Sequence, residues 1–232
     1  MDYSDLTTSG RKFEALLFDM DGLLLDTERE FMEALVEIGV PLGFNRAELE
    51  AFFKTLVGTS AAVTGAKLVE FLPNDVDATA FEKKWRNANA ARRSGAVPLR
   101  PHVADVLSSL AGAGYRMAVV TSTKRAPALE HLKHAGLLDY FELIVGGDEV
   151  SANKPDPMPY MQAAATLGVD PRRCAAFEDS DLGTRAAITA GCVTTQIPDL
   201  RPPLPLPELG QHTARDLLVA VQNLQLLRVP EI

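Results

Sequence analysis

The sequence predicts an α/β protein, a doubly wound parallel sheet with an all-helical domain inserted after its first strand. Three observations predict it. Short runs that are apolar along nearly their whole length alternate with helical patterns from about residue 101 onward, as strands covered on both faces require. From about Thr27 to Ser94 the apolar spacing is helical only. About 100 residues separate Asp19 from Thr121 at the ends of the first two strands, where a single βαβ unit needs only about 30. The excess matches the helical stretch.

In chain order, residues 1–11 read as a polar leader and the first strand covers 13–19. After Asp26 and Thr27 the residues Phe31, Ala34, Leu35 and Ile38 recur on one helical face, ended by Gly39 and Pro41. Asn45 with Glu48 three residues on forms a capping box for a second helix, whose stripe is Leu49, Phe52, Phe53 and Leu56. A third helix covers 60–71 and stops before Pro73. Asp77 as N-cap, with Val76 and Phe81 as a hydrophobic staple, opens a fourth that continues through Trp85 and Ala88. Pro101 opens the next helix, with Val103, Val106, Leu107 and Leu110 inward. Strands at 115–121, 141–146, 173–177 and 192–197 then alternate with helices around 127–135, 159–167 and 180–190. The Pro-rich stretch IPDLRPPLPLPE reads as an extended surface connection to a terminal helix bearing Ala214, Leu217, Leu218 and Val221 on one face. The expected division is a core of residues 1–24 and 96–232 around a helical domain of residues 25–95.

With 232 residues, 47% apolar and 23% charged, the chain has the composition of an ordinary soluble globule. Its formal charge of -8 argues against a nucleic-acid or anionic-membrane footprint, which needs a basic face. The first residues lack a basic region followed by an apolar stretch, and no run approaches a membrane span, so a cytoplasmic location is expected. Cys174 and Cys192 sit in apolar strand-like contexts and read as reduced packing residues.

Ligands of a doubly wound sheet collect beyond the carboxyl ends of its strands, and each predicted strand end here carries something polar. The first ends in Asp19 and Asp21 before Gly22. Period-2 alternation points both carboxylates to one side, where they can reach one cation or one reacting group. Taken alone, a solvated Asp-Gly turn explains these residues as well as a catalytic pair does. The second strand ends at Thr121 and Ser122, the third leads to Lys154, and the fourth ends in Glu178 and Asp179. Carboxylate oxygens with water and a phosphate oxygen suit octahedral Mg²⁺, whereas no clustered Cys or His accompanies them to make a zinc site. Phosphoryl transfer would use Asp19 as nucleophile and Asp21 to protonate the leaving alkoxide and later take a proton from water. Thr121, Ser122 and the amides after them would cradle phosphate oxygens, and Lys154 would offset the repulsion between two anions. Pro155 biases Lys154 toward extended backbone. Each residue has a plainer reading alone, as helix cap, loop lysine or charged strand end. Their fall in chain order at one end of one sheet favours the joint one.

This set resembles the haloacid dehalogenase superfamily, specifically its phosphatases with a helical cap inserted after the first motif; the likeness runs from Phe18 through Ile197. DMDGLLLDTE is similar to the family's first motif, Thr121 to its hydroxyl motif, Lys154 to its lysine, and Glu178-Asp179 to its acidic metal motif. The resemblance implies a Rossmann-like core with a cap that opens about two linkers, near Leu25 and Ala96. It implies Asp19 as nucleophile and metal ligand, Asp21 as acid and base with its carbonyl on Mg²⁺, and Asp179 with Glu178 completing the metal site. An acid at Asp21 separates phosphatases from dehalogenases. The nearest wording is that of the β-phosphoglucomutase-like and sugar-phosphatase branch. The mutases carry a cap arginine shortly after the glycine matching Gly58 and a histidine in the first cap helix. Here Thr59, Ser60 and Ala61 stand at the first place and Phe31 at the second, which favours hydrolysis over the isomerase alternative. Thr59 and Ser60 are weak cap candidates for substrate contact. A noncatalytic phosphoacceptor is the remaining alternative; an inserted lid, useful for sequestering a small substrate, argues against it. The expected partner is a small phosphorylated metabolite, bound by a monomer or weak dimer without nucleic acid or membrane.

Overall fold

The strand Ala15–Phe18 (β1) lies at the centre of a parallel sheet, because its residues are apolar on both sides and only a doubly covered position buries them all. The computed structural model describes residues 12–57, 61–93, 97–200, 202–204 and 212–227. Its further strands are Arg116–Val120 (β2), Leu143–Val145 (β3), Cys174–Glu178 (β4), Val193–Gln196 (β5) and His212–Thr213 (β6). Among the described residues they form one six-stranded sheet in the order β3-β2-β1-β4-β5-β6, every pair parallel. The first strand thus pairs with β2 on one side and β4 on the other, with Phe18 opposite Val119 and Phe177.

Alternation divides these strands between two cores. Leu16, Phe18, Met117, Val119, Ala175 and Phe177 face one side, beneath the helices Val103–Gly112 (α5) and Leu217–Asn223 (α9). Ala15, Leu17, Ala118, Val120, Cys174 and Ala176 face the other, beneath Met158–Leu167 (α7) and Asp181–Ala190 (α8). The alanines on that second face let α7 and α8 approach the sheet closely. Arg125–His134 (α6) completes the first layer between β2 and β3.

Between β1 and α5 come Thr27–Gly39 (α1), Arg46–Leu56 (α2), Ala61–Phe71 (α3) and Ala78–Arg93 (α4), a helical cap with an apolar core of its own. The capping box forms as expected: the Glu48 amide donates to Asn45 Oδ1 (2.9 Å) and the Asn45 amide to Glu48 Oε2 (3.0 Å). Asp77 Oδ1 accepts from the amides of Thr79 and Ala80 at 2.8 and 3.1 Å, and Val76 and Phe81 both join the cluster. At its centre Phe31 stacks on Trp85 with ring centroids 4.1 Å apart, and the Trp85 indole donates to the Phe31 carbonyl at 2.8 Å. The polar leader, Thr59, Ser60 and the return point near Ala96 lie outside the described residues.

The strands β1, β2, β3 and β5 are a residue or two shorter at each end than the apolar runs suggested, and β4 is shifted by one residue, ending at Glu178. Two expectations near the C-terminus change. Ala214 is not on the terminal helix; it follows the short β6, its amide donating to the Gln196 carbonyl, and α9 starts at Leu217 after an Asp216 N-cap. The Pro-rich stretch is not a mere surface connection. The Asp199 side chain is buried and Leu200 packs against the helical core, so this stretch touches both layers.

Candidate functional site

Sheet pairing carries the main chain past the formal strand ends and fixes where the acidic groups emerge. The Asp19 amide donates to the Phe177 carbonyl (3.0 Å), that of Thr121 to Val145 (3.0 Å) and that of Ile197 to Glu178 (2.6 Å). Asp19, Thr121 and Glu178 are therefore held side by side at one sheet edge.

Lys154 joins them from the loop after β3. Its ammonium donates to Asp19 Oδ1 and Glu178 Oε1, both at 2.5 Å, and to the Val120 carbonyl at 2.8 Å. The lysine projects into the site as expected, across a Lys154–Pro155 peptide bond that is cis. Burial works to lower its pKa, but the Asp19 and Glu178 carboxylates outweigh burial and hold it above its usual range. Burial pushes the Asp19 carboxyl up to about 8, against Lys154 and with Glu178. Asp179 is also driven well up, first by burial and then by Asp19, Glu178 and Glu28.

Carboxylate oxygens of Asp19, Glu178 and Asp179 all lie within 4.8 Å of one another, and the three residues are buried. One lysine faces three carboxylates, and the remaining charge with hard oxygen donors fits a small divalent cation such as Mg²⁺. Two glycines make the cluster possible. A Cβ on Gly22, which has φ +86°, would overlap the Asp179 carboxylate, and one on Gly183 would overlap that of Glu178. Ser180 ties the loop to the helix, its hydroxyl donating to Glu178 Oε2 at 3.2 Å and accepting from the Gly183 amide at 3.1 Å.

Asp21 does not share this cluster. The strand has ended at Phe18 and the chain turns at Gly22, so alternation no longer governs residues 19 to 21. The Asp21 carboxylate instead accepts from Thr123 Oγ1 at 2.7 Å, with Thr121 Oγ1 at 3.5 Å. Thr121 also accepts from the Thr123 amide at 3.0 Å, a local turn four residues ahead of α6. Ser122 lines the cavity described below.

Sequence reasoning missed several residues. Thr123 follows directly on Thr121 and Ser122, and the T-S-T run could have signalled it. Tyr160 gave no signal, because a tyrosine on an apolar helix face reads as core. Its hydroxyl donates to Glu178 Oε1 at 2.6 Å, and Lys154 lies 5.2 Å from its ring centroid. Burial, with Glu178, raises the Tyr160 pKa, so the phenol remains a donor.

A cavity of about 500 Å³ opens between sheet edge and cap. Asp21, Ser122 and Thr123 form its sheet wall, and Thr27, Glu28 and Phe31 of α1 with Arg86 and Asn89 of α4 form its helical wall. The Arg86 guanidinium is paired along its own helix with Glu82 at 2.6 Å.

An α/β sheet that ends in buried carboxylates, a lysine and hydroxyls beneath a helical cap defines the class of enzymes acting on phosphate esters. The chain matches the family of haloacid dehalogenase-like hydrolases over residues 16–197 and belongs to it. It is similar to the fructose-1-phosphate phosphatase YqaB of Escherichia coli, 33% identical over 180 residues that cover 78% of this chain and 94% of that one. A phosphorylated carbohydrates phosphatase of Thermotoga maritima is 32% identical over 178 residues, 77% of this chain and 82% of its own. Among solved structures, a haloacid dehalogenase family hydrolase of Deinococcus radiodurans with bound phosphate and sodium superposes with a TM-score of 0.76 at 27% identity, covering 93% of this chain and 98% of that one. The chain is a phosphoric monoester hydrolase of this family. No described helix is long and apolar enough to cross a membrane.

Proposed function

We propose that the protein is a Mg²⁺-dependent phosphatase of a small phosphate monoester, a sugar phosphate or similar metabolite, working through an aspartyl-phosphate on Asp19. The observation that carries this reading is the convergence of Asp19, Glu178 and Asp179 on one buried cluster, with Lys154 bonded to the first two. The names of the phosphatase relatives support the substrate class.

Asp19 attacks phosphorus with a carboxylate oxygen, and the ester P–O bond breaks. Asp21, held by Thr123 at the cavity wall, gives its proton to the departing alkoxide. Water then attacks the aspartyl-phosphate, Asp21 takes the water's proton, and the bond from phosphorus to Asp19 breaks to release phosphate. Thr121, Ser122 and the neighbouring amides orient the phosphoryl oxygens, and Lys154 offsets their charge. Asp19, Glu178, Asp179 and the Asp21 carbonyl would hold Mg²⁺, which when bound supplies further positive charge against the phosphoryl oxygens. The helical layer, residues 25–95, serves as the lid that keeps bulk water from the intermediate. The absence of histidine at Phe31, which stacks on Trp85, supports hydrolysis over phosphoryl return to a sugar.

Phosphate release from a panel of sugar phosphates, phosphoglycolate and nucleotides, with Mg²⁺ and with chelator, tests the reading. Release that persists unchanged in Asp19→Asn would remove the assigned nucleophile. Glucose 6-phosphate formed from β-glucose 1-phosphate without net phosphate release would make the protein a mutase.

A further inference from the structure

Four charged side chains outside the acidic cluster meet where the chain crosses between sheet and helical layer. Asp26 lies on the outgoing crossing, Arg100 on the returning one, Arg29 on α1, and Asp199 on the stretch after β5. Arg100 pairs with Asp199 through a short contact and lies 3.9 Å from Asp26, whose other oxygen accepts from Arg29 Nε at 2.9 Å. The two crossings are also joined by main chain, Asp26 N–H to the Pro98 carbonyl (2.8 Å) and Arg100 N–H to the Leu24 carbonyl (3.0 Å).

This network is a poor device for stability. The Asp199 side chain is 2% exposed and that of Arg100 14%, yet Asp26 Oδ1 and Asp199 Oδ2 accept no hydrogen bond from the described residues. Buried ion pairs with incomplete hydrogen bonding gain little over apolar packing, since desolvation offsets their attraction. Burial holds the Asp199 carboxyl above its usual range despite Arg100, so the folded state binds that proton more tightly than the unfolded one. What the network does fix is geometry. The residue after Asp26 begins α1, and the first turn of that helix brings Thr27, Glu28 and Phe31 to the cavity. Beyond Asp199, Leu200 packs into the helical core, and the Leu204 amide donates to Asp181 Oδ1 (2.9 Å), two residues from Asp179.

We propose that Asp26, Arg100 and Asp199 are positioning residues that set the angle at which α1 presents its first turn to the substrate, with Asp199, Leu200 and Leu204 linking the helical layer to the loop that carries Asp179. The consequence for turnover rests on the phosphatase reading above; the geometric effect does not.

Hydrogen exchange at the Asp26 and Arg100 amides is measured in wild type, Asp199→Asn, Arg100→Met and Arg100→Lys, with amides of β1 and β2 as internal reference. Steady-state turnover of the best ester in the panel is measured alongside. In Asp199→Asn and Arg100→Met the two crossing amides exchange at least tenfold faster while the sheet amides keep their rates, and kcat/KM falls at least tenfold, chiefly in kcat. Arg100→Lys recovers both to within threefold of wild type. Crossing amides that exchange as in wild type, acceleration of all amides together, or kcat/KM within twofold of wild type in the two variants would each overturn the assignment. A wild type that hydrolyses nothing in the panel would defeat the phosphatase reading, and the exchange pattern would then decide the positioning alone.

Discussion

The sheet wall of the cavity is backed by Asp19, Lys154 and Glu178, 9, 6 and 0% exposed, with the lysine bonded to both carboxylates across three separate segments of chain, whereas on the helical wall Arg86 is 49% exposed and bonds along its own helix. The first wall is over-determined. Lys154 bonds both carboxylates, so removing it leaves two charges buried without their partner. The second wall consists of side chains on two helix faces, where Phe31 also stacks on Trp85 while Arg86 pairs along its own helix. On the proposed function, chemistry belongs to the sheet edge and discrimination between esters to the helical side chains that line the cavity.

The largest expected effect breaks the first wall. Asp19→Asn keeps the shape and removes the proposed nucleophile, and phosphate release falls on the order of 10⁴-fold or more while the fold persists. Phosphate assays with matched circular dichroism check it; a loss under tenfold would place the nucleophile elsewhere.

The acidic cluster also makes stability depend on pH in a definite sense. Asp19 moves from its ordinary 3.8 to about 8 in the folded protein, so between those values the folded state holds a proton that the unfolded chain has lost. Stability of the chelated protein therefore falls as pH rises through that window. Added Mg²⁺ offsets the carboxylate charge and stabilises the protein most at the upper end. Urea titrations from pH 5 to 8, with and without Mg²⁺, measure both slopes. Chelated stability that rises with pH would contradict a carboxyl whose burial outweighs its pairing with Lys154.

Gly183→Ala probes the same wall through packing. Its new methyl overlaps the Glu178 carboxylate, which Lys154, Tyr160 and Ser180 already fix, so the neighbour cannot yield. A loss of about 1–3 kcal/mol follows, as for other overpacked sites, together with weaker Mg²⁺ stabilisation. Calorimetry with and without metal reads both.

The contrast between walls also explains what could be read from sequence. The ends of β1, β2 and β4 were legible because each is an apolar run stopped by a charged or hydroxyl residue, and a parallel sheet brings such ends to one edge. Asp19, Thr121, Lys154, Glu178 and Asp179 are gathered there. The different company of Asp21 was not legible, since it depends on where β1 stops pairing and on the turn at Gly22. Tyr160, Arg86 and Asn89 were hidden because helix faces carry no mark of what they point at. A buried tyrosine reads as core and an exposed arginine as surface. The Pro-rich stretch was misread for a related reason: proline content predicts extended backbone but not the burial of Asp199 and Leu200.

A smaller effect tests the helical wall. Arg86→Ala and Asn89→Ala shift the ratio of kcat/KM between good and poor esters by about tenfold, with little change for a phenyl phosphate that lacks groups to contact them. Equal changes for every ester would mean that these residues act on cap closure rather than on discrimination.

The smallest effect separates stability from both walls. His102, at the start of α5, adopts φ 65° without a side-chain capping bond, in a region where only glycine avoids a steric penalty. Glycine there relieves the strain but adds unfolded-state entropy, and the two nearly offset, leaving a gain of about 0.5 kcal/mol. For a chain of this size that raises Tm by about 1–2 °C. Because the exposed His102 lines neither wall, His102→Gly leaves kcat/KM unchanged. A lower Tm would show that the imidazole compensates its backbone, and a change in kcat/KM would show that the start of α5 moves with the returning crossing at Arg100, whose carbonyl accepts from the Val103 amide.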